Sequence, residues 1–307
     1  MVKLLLSPLK LLNRTSAASR LLFLVVLLIG SLAYQDLSLA YRDYTHISRA
    51  QREEDGVRVM RVVSKLMRSV QYERGAAAVY RRTGEPLYRA RLQEHFSGTD
   101  SVIEASEDVW TESDLEQSKS LYWKLREDLK TIRSQGIPSE EEYSQMDRQL
   151  YMLVEEILFE SGLILDEDTV RIYLILAAFQ TIPEQSDLAL QMQEVLTTAL
   201  EDGGLDGASR RRLNGVESRL DAASLRLQEK IEKINRQSSR LQGKLKKPLQ
   251  SYEQAYADLK ILIRSGDAFD QAGKLTTTVE TLVGAERTLQ EAILEELERE
   301  LSREVRS

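Results

Sequence analysis

The chain has 307 residues, a net charge of −7, 30% charged and 6% aromatic residues, five prolines, fifteen glycines and no cysteine. Without thiols there are no disulfides, no thiolate catalysis and no cysteine-ligated metals. An acidic body lacks the basic face that nucleic-acid binding requires, and the composition predicts an all-α protein of long helices.

Lys3, Lys10, Arg14 and Arg20 give the first 35 residues four positive charges and no acid, which leaves about −11 on the remainder. Residues 1–20 therefore read as a basic cytoplasmic N-terminus. The apolar run Leu21–Ile29, extended to residues 21–40, reads as a transmembrane anchor whose partner is the lipid bilayer. Basic residues before it and Asp36 and Asp43 after it predict a single-pass protein of the bacterial inner membrane, N-terminus inside and body in the periplasm. A cleaved signal peptide ending near Ser31-Leu32-Ala33 is the rival reading.

Residues 41–202 are expected to form a first long helix and a membrane-distal bundle, and residues 203–307 the return helices of a membrane-proximal bundle. Helices are predicted from about Leu39 to Arg82, from Pro86 to about Glu112, and from Leu115 to Ser134. Trp110, Tyr122 and Trp123 are packing anchors. Ser139 and Glu142 form a capping box for a helix to about Gly162, and Thr169–Thr181 follows, kinked or ended by Pro183. Glu184–Leu200 comes next, and the glycines 203, 204 and 207 mark a break. One very long helix is expected over Ala208–Lys246, another from Pro248, a loop or kink between Gly266 and Gly273, and a last helix over Leu275–Arg306. These elements suggest two stacked four-helix-type bundles sharing long helices, the first and last side by side.

Within the first long helix Met60, Val63, Met67 and Val70 mark a buried seam that continues through Arg74 to Ala77, with Gly75, Ala76 and Ala78 around them. A guanidinium at a buried face needs a carboxylate, carbonyls or an anion beside it. The bland reading pairs Arg74 with an acid of a neighbouring helix or lets its charge reach solvent. Asp168, on a seam drawn through Ile157, Ser161, Ile164, Ile172 and Ile175, is a candidate counterion. Arg171 is a second cation, expected to face solvent. His46 and His95 lie outside any metal-ligand motif and read as surface residues.

The stretch Gln71-Tyr72-Glu73-Arg74-Gly75-Ala76-Ala77-Ala78 resembles the Q-x-E-R-G-small-small motif of nitrate- and nitrite-sensing type ectodomains of bacterial receptors, and Arg89, Arg91, Gln93 and Thr99-Asp100 continue the likeness. Ser161-Gly162-Leu163-Ile164-Leu165-Asp166-Glu167-Asp168, then Tyr173-Leu174 and Ile182-Pro183, is similar to a second block of periplasmic domains in chemoreceptors, histidine kinases and diguanylate cyclases. In that block Val170, Ile172, Ile175 and Leu176 stand where the family pattern has more polar residues. The resemblance implies a ligand site at Arg74, with Glu73, Gly75, Ala78, Asp168 and Arg171 as further candidates, holding a small anion between helices.

Two functions are consistent with these features. One is a membrane-anchored sensory domain that binds a small, anionic ligand and passes a helix shift towards the membrane. The other is a non-catalytic structural or accessory protein that assembles with itself or with a membrane or periplasmic partner. A homo-oligomer is expected in either. No nucleophile–base pair, catalytic carboxylate pair, phosphate loop or metal spacing emerges, so neither an enzyme nor a cofactor is predicted. No second apolar stretch follows Leu275, as expected of either a receptor's sensory half or a single-pass protein.

Overall fold

A computed structural model of the chain describes residues 17–165, 168–201, 203–204, 206–265 and 272–306. All regular structure among these residues is helical. The elements are α1 (Ala17–Thr83), α2 (Pro86–Glu104), α3 (Glu107–Glu112), α4 (Glu116–Ser134), α5 (Glu140–Glu160), a 3₁₀ turn (Leu163–Leu165), α6 (Thr169–Leu176), a π-turn (Ala177–Thr181), α7 (Ile182–Glu201), α8 (Gly207–Gln237), α9 (Ser239–Ser265) and α10 (Ala272–Arg306).

The chain divides into a unit Met1–Arg49 and a compact unit Ala50–Ser307. The basic segment 1–16 lies outside the described residues. The side chains of the predicted anchor's apolar run, Leu21–Ile29, also lie outside the described residues, and among the described ones no helix is long and apolar enough to cross a membrane.

In the second unit the seam of α1 is buried as its spacing predicts. Met60, Val63, Met67, Val70 and Ala77 are all at most 3% exposed, and they join a continuous core reaching to Leu301. The stretch beside α10 is tied to it by ion pairs from Arg61 to Glu291 (3.4 Å) and Glu298 (3.1 Å). These pairs bring the Arg61 turn of α1 beside Glu291 and Glu298 of α10.

Pro86 sits in the first turn of α2, where its missing N–H is not needed. The helix expected to run on to Glu112 instead breaks at Ala105 and Ser106. The buried Ser106 hydroxyl bonds the Ile103 carbonyl (2.7 Å) and the Tyr122 hydroxyl (2.6 Å), pinning the turn to α4. Trp110 stacks on Tyr122 at 4.4 Å, and Trp123 packs edge-on to the same ring. Ser139 and Glu142 form the predicted capping box of α5.

Two expectations for the C-terminal half fail. The single helix over Ala208–Lys246 is broken at Ser238, whose extended backbone (φ −142°, ψ 102°) and hydroxyl, accepting from the Leu241 N–H at 3.3 Å, start α9 afresh. Pro248 does not begin a helix but lies inside α9. The loop expected between Gly266 and Gly273 falls largely outside the described residues, and Gly273 is already in α10. Pro183, expected to kink or end its helix, leaves the helical path continuous but irregular. It is the second residue of α7, and the ladder gives way just before it, in the wide π-turn.

Candidate functional site

Around Arg74 the helices supply charge rather than space. Its guanidinium, 11% exposed, donates from Nη1 to Asp147 of α5 (2.5 Å) and from Nη2 to Asp187 of α7. The counterion is therefore not Asp168. Burial would lower the pKa of Arg74, but the carboxylates of Asp187 and Asp147 more than offset this and raise it. Burial raises the pKa of Asp147 despite its bond to Arg74, and the second negative charge of Asp187 adds to the rise. Two carboxylates sharing one guanidinium leave the cluster net negative.

Sequence reasoning missed both aspartates. Asp147 follows the seam residues Tyr143 and Met146, and Asp187 stands between buried Gln185 and Ser186 and the buried run Leu188, Ala189 and Leu190, so an acid amid buried positions is the signal each carries.

Glu73 faces another way. Its side chain is fully buried and paired with Arg133 of α4, which also bonds Asp100 (2.6 Å) and lies over the Phe96 ring at 4.8 Å. Burial pushes Glu73 up to about 7 in spite of Arg133. Ala78, one turn beyond Arg74, is half-buried.

Asp168 and Arg171 belong to a different place. Ser161, at the end of α5, is buried, whereas Ile164 is 57% exposed, so the seam drawn towards Asp168 is broken in the 3₁₀ turn. Asp168 is exposed and caps α6, accepting from the Val170 N–H at 2.7 Å. Arg171 does not face solvent. Its side chain is 14% exposed and lies 4.0 Å from the buried Glu53 of α1 and 3.9 Å from Asp168.

The Ser161-Gly162-Leu163 block packs on α1 at Gly56. A Cβ there would come within 2.5 Å of Ser161 Cβ and 3.0 Å of Leu163 Cδ1, so only glycine permits the approach. Gly162 itself has φ 82°, the left-handed region in which glycine is favoured. Gly56 and Arg74 are about 27 Å apart along one helix at 1.5 Å per residue. The two familiar-looking blocks are thus both ordered on α1, but they do not share one site.

Beside Arg74, residues of α1, α2, α7 and α10 enclose a cleft of about 560 Å³. Gly75 and Ala76 form part of its wall, and a Cβ added at Gly75 meets nothing within 4 Å. His95 is not a surface residue. It is half-buried in this cleft, stacked on Tyr72 at 5.5 Å between ring centroids, and burial lowers its pKa. Gln193 donates to Thr276 (3.3 Å) between α7 and α10. Gln71 also lines the cleft; it is 2% exposed and its Oε1 has no hydrogen-bond partner.

Deeper in the unit a second polar row ties α1, α7 and α10 to the π-turn. Arg68 donates to Gln290 (2.5 Å), and Gln290 donates to the Ala178 carbonyl (2.5 Å). Ser186 donates to Glu286 (2.6 Å), whose other carboxylate oxygen is buried without a partner. Burial pushes Glu286 up to about 8.

No protein-family model matches the chain, and no curated protein matches it. Among solved structures it is similar to that of the NasR transcription antiterminator, with 17% sequence identity and a TM-score of 0.56 over 90% of this chain and 76% of the other. At that identity the likeness shows the fold alone: the helical arrangement described above is one that a solved protein also adopts.

Proposed function

We propose that this chain is a non-catalytic sensory domain that takes a small solute into the cleft beside Gly75 and passes the resulting helix shift along α1 and α10. The observation that carries this reading is the cleft itself. It brings a Gly-Ala wall and a stacked Tyr72–His95 pair to the junction of four helices. Both faces of the Arg74 guanidinium fork are already engaged by Asp147 and Asp187, so an anion at Arg74 would have to displace a carboxylate. The cleft one residue further on requires no such exchange. Support for a sensory role also comes from the E-R-G-A-A-A motif. We place the protein in the bacterial inner membrane, anchored through residues 21–40, with its body in the periplasm, on the charge asymmetry around the Leu21–Ile29 run.

The second reading is a structural or accessory bundle, two stacked tiers that pair with a second copy or a periplasmic partner. The twofold neutralisation of Arg74 favours it, since a guanidinium held by two aspartates from two other helices is a bundle clamp.

Thermal unfolding of the full chain in detergent, with and without a panel of small solutes of both charges, separates the two. A solute at a hundred times its dissociation constant adds about 2.7 kcal/mol of stability. If a solute raises Tm in the wild type but not in Gly75→Leu, whose new side chain enters open space in the cleft, the sensory reading holds. If nothing in the panel moves Tm, the accessory reading replaces it.

A further inference from the structure

Glu286 of α10 is an acid with no base set against it. Its side chain is 0% exposed, one carboxyl oxygen accepts from the Ser186 hydroxyl of α7 at 2.6 Å, and the other is buried without a partner. A carboxylate in that place would have neither water nor a paired cation, so the group rests in the core as the neutral acid. Arg68 and Tyr72 of α1 and Tyr252 of α9 are the titratable groups that act on it across the packing, and burial raises the pKa of both tyrosines, which stay neutral while Glu286 titrates. The π-turn carries no charged residue, and Arg171 of α6 lies beside Glu53 and Asp168 instead.

Arg68 stands one helical turn from a pairing with Glu286. Its guanidinium donates to Gln290 (2.5 Å), four residues after Glu286 and on the same face of α10, and the Gln290 amide donates in turn to the Ala178 carbonyl of the π-turn (2.5 Å). An ionised Glu286 is a stronger acceptor for that guanidinium than a neutral amide is. Moving Arg68 there takes from Gln290 the donor that fixes its amide, so one buried proton decides whether the π-turn is held.

We propose that Glu286 is the trigger of a proton-operated switch: as the acid it leaves Arg68 on Gln290 and the π-turn latched, and as the carboxylate it draws Arg68 one turn along α10 and frees the start of α7. The proton passes to bulk water during openings of the α7–α10 contact, and no other covalent bond changes. Burial sets the change near pH 8, against the pull of Ser186 and Arg68 towards lower values. Its input is a proton, so the switch works whether or not the cleft takes a solute.

The test is amide hydrogen exchange of the full chain in detergent, read by mass spectrometry at pH 6.5 and pH 9 and divided by the intrinsic rate at each pH. In the wild type, Ala177–Thr181 and the first turn of α7 are expected to open at least tenfold more at pH 9, while α5 does not change. Glu286→Gln should stay at its pH 6.5 level throughout. Arg68→Met, which leaves Gln290 without its donor, should open the same segment at pH 6.5 as far as the wild type opens it at pH 9. Circular dichroism confirms that both variants fold, and the wild-type comparison stands without them. No rise in the wild type overturns the switch, and an equal rise in Glu286→Gln overturns the choice of trigger. A rise shared by α5 and α8 makes the change a general loosening and overturns the switch as well, and full protection in Arg68→Met at pH 6.5 overturns the latch. No solute enters these measurements, so their outcome is separate from that of the cleft.

Discussion

Replacing Arg74 with alanine removes the one positive charge between Asp147 and Asp187, whose side chains are 20% and 18% exposed. Breaking a buried ion pair by deleting one partner costs about 3–5 kcal/mol, because the remaining charge is left desolvated. Here two charges are left and they repel each other, but the fifth of each side chain that stays in contact with water moderates the cost. About 3 kcal/mol at pH 7.5 is expected, equivalent to a Tm lowered by roughly 6–12 °C for a unit of this size. The assay is thermal unfolding of wild type and variant from pH 7.5 to pH 4.5. Burial raises the pKa of Asp147 even beside Arg74, and without the guanidinium nothing opposes that rise, so the variant's native state takes up a proton before its unfolded state does on acidification. Its deficit should therefore shrink as pH falls. Adding Asp147→Asn and Asp187→Asn to Arg74→Ala should recover most of the loss at pH 7.5. A deficit below about 1 kcal/mol that does not change with pH would place the cluster among solvated surface pairs and refute the clamp.

Glu286→Gln should flatten part of the pH dependence of stability. The folded pKa of about 8 lies above the unfolded value near 4.5, so this contribution is complete below pH 4.5 and is lost as pH rises through 8, up to roughly 5 kcal/mol. Glutamine keeps an acceptor for Ser186 and carries no charge, so the variant should be more stable than wild type at pH 8.5 and equal to it near pH 4.5, read from urea midpoints. Gly56→Ala should cost about 1–3 kcal/mol, the range for overpacking, because the new methyl meets Ser161 at 2.5 Å; Gly56→Ala with Ser161→Gly should regain much of it, and a neutral single variant would contradict the close approach. Ser139→Ala should cost about 1 kcal/mol through the lost cap of α5, with local amide exchange near Glu142 rising if the cap is responsible.

The helical class and most helix starts were legible because they follow from local chemistry. Pro86, the Ser139–Glu142 box and the 203–207 glycines act within a turn of where they stand, and the α1 seam declares itself by spacing. The Ser238 break was hidden because the apolar stripe of α8 runs on through Leu241 and Leu245 into α9, both buried. The π-turn was hidden because no residue pattern marks an i→i+5 bond. At the site, the sequence announced that Arg74 would be buried and needed a partner. It could not choose among 49 acids for that partner. The seam argument chose Asp168 by extending one helix's period through Gly162, where a positive φ ends the helix and resets the phase. The cleft was invisible for a related reason: its walls come from four helices, and Gln71, Gly75, His95 and Glu280 share no spacing that a single helix would reveal.

The π-turn at Ala177–Thr181 acts as a phase shifter. A wide turn holds one residue more than an α-helical path through the same point would use, and one residue is worth about 100° of rotation about the helix axis. Everything on α7 is therefore indexed by that single surplus residue. With it, Asp187 meets Arg74 and Ser186 meets Glu286. Ironed into a regular helix, the same sequence would swing both side chains off their partners and carry apolar neighbours into their place. The register of the clamp and of the buried acid is thus stored in the five residues just before α7, and Gln290, bonded to the Ala178 carbonyl, is the latch that holds the setting.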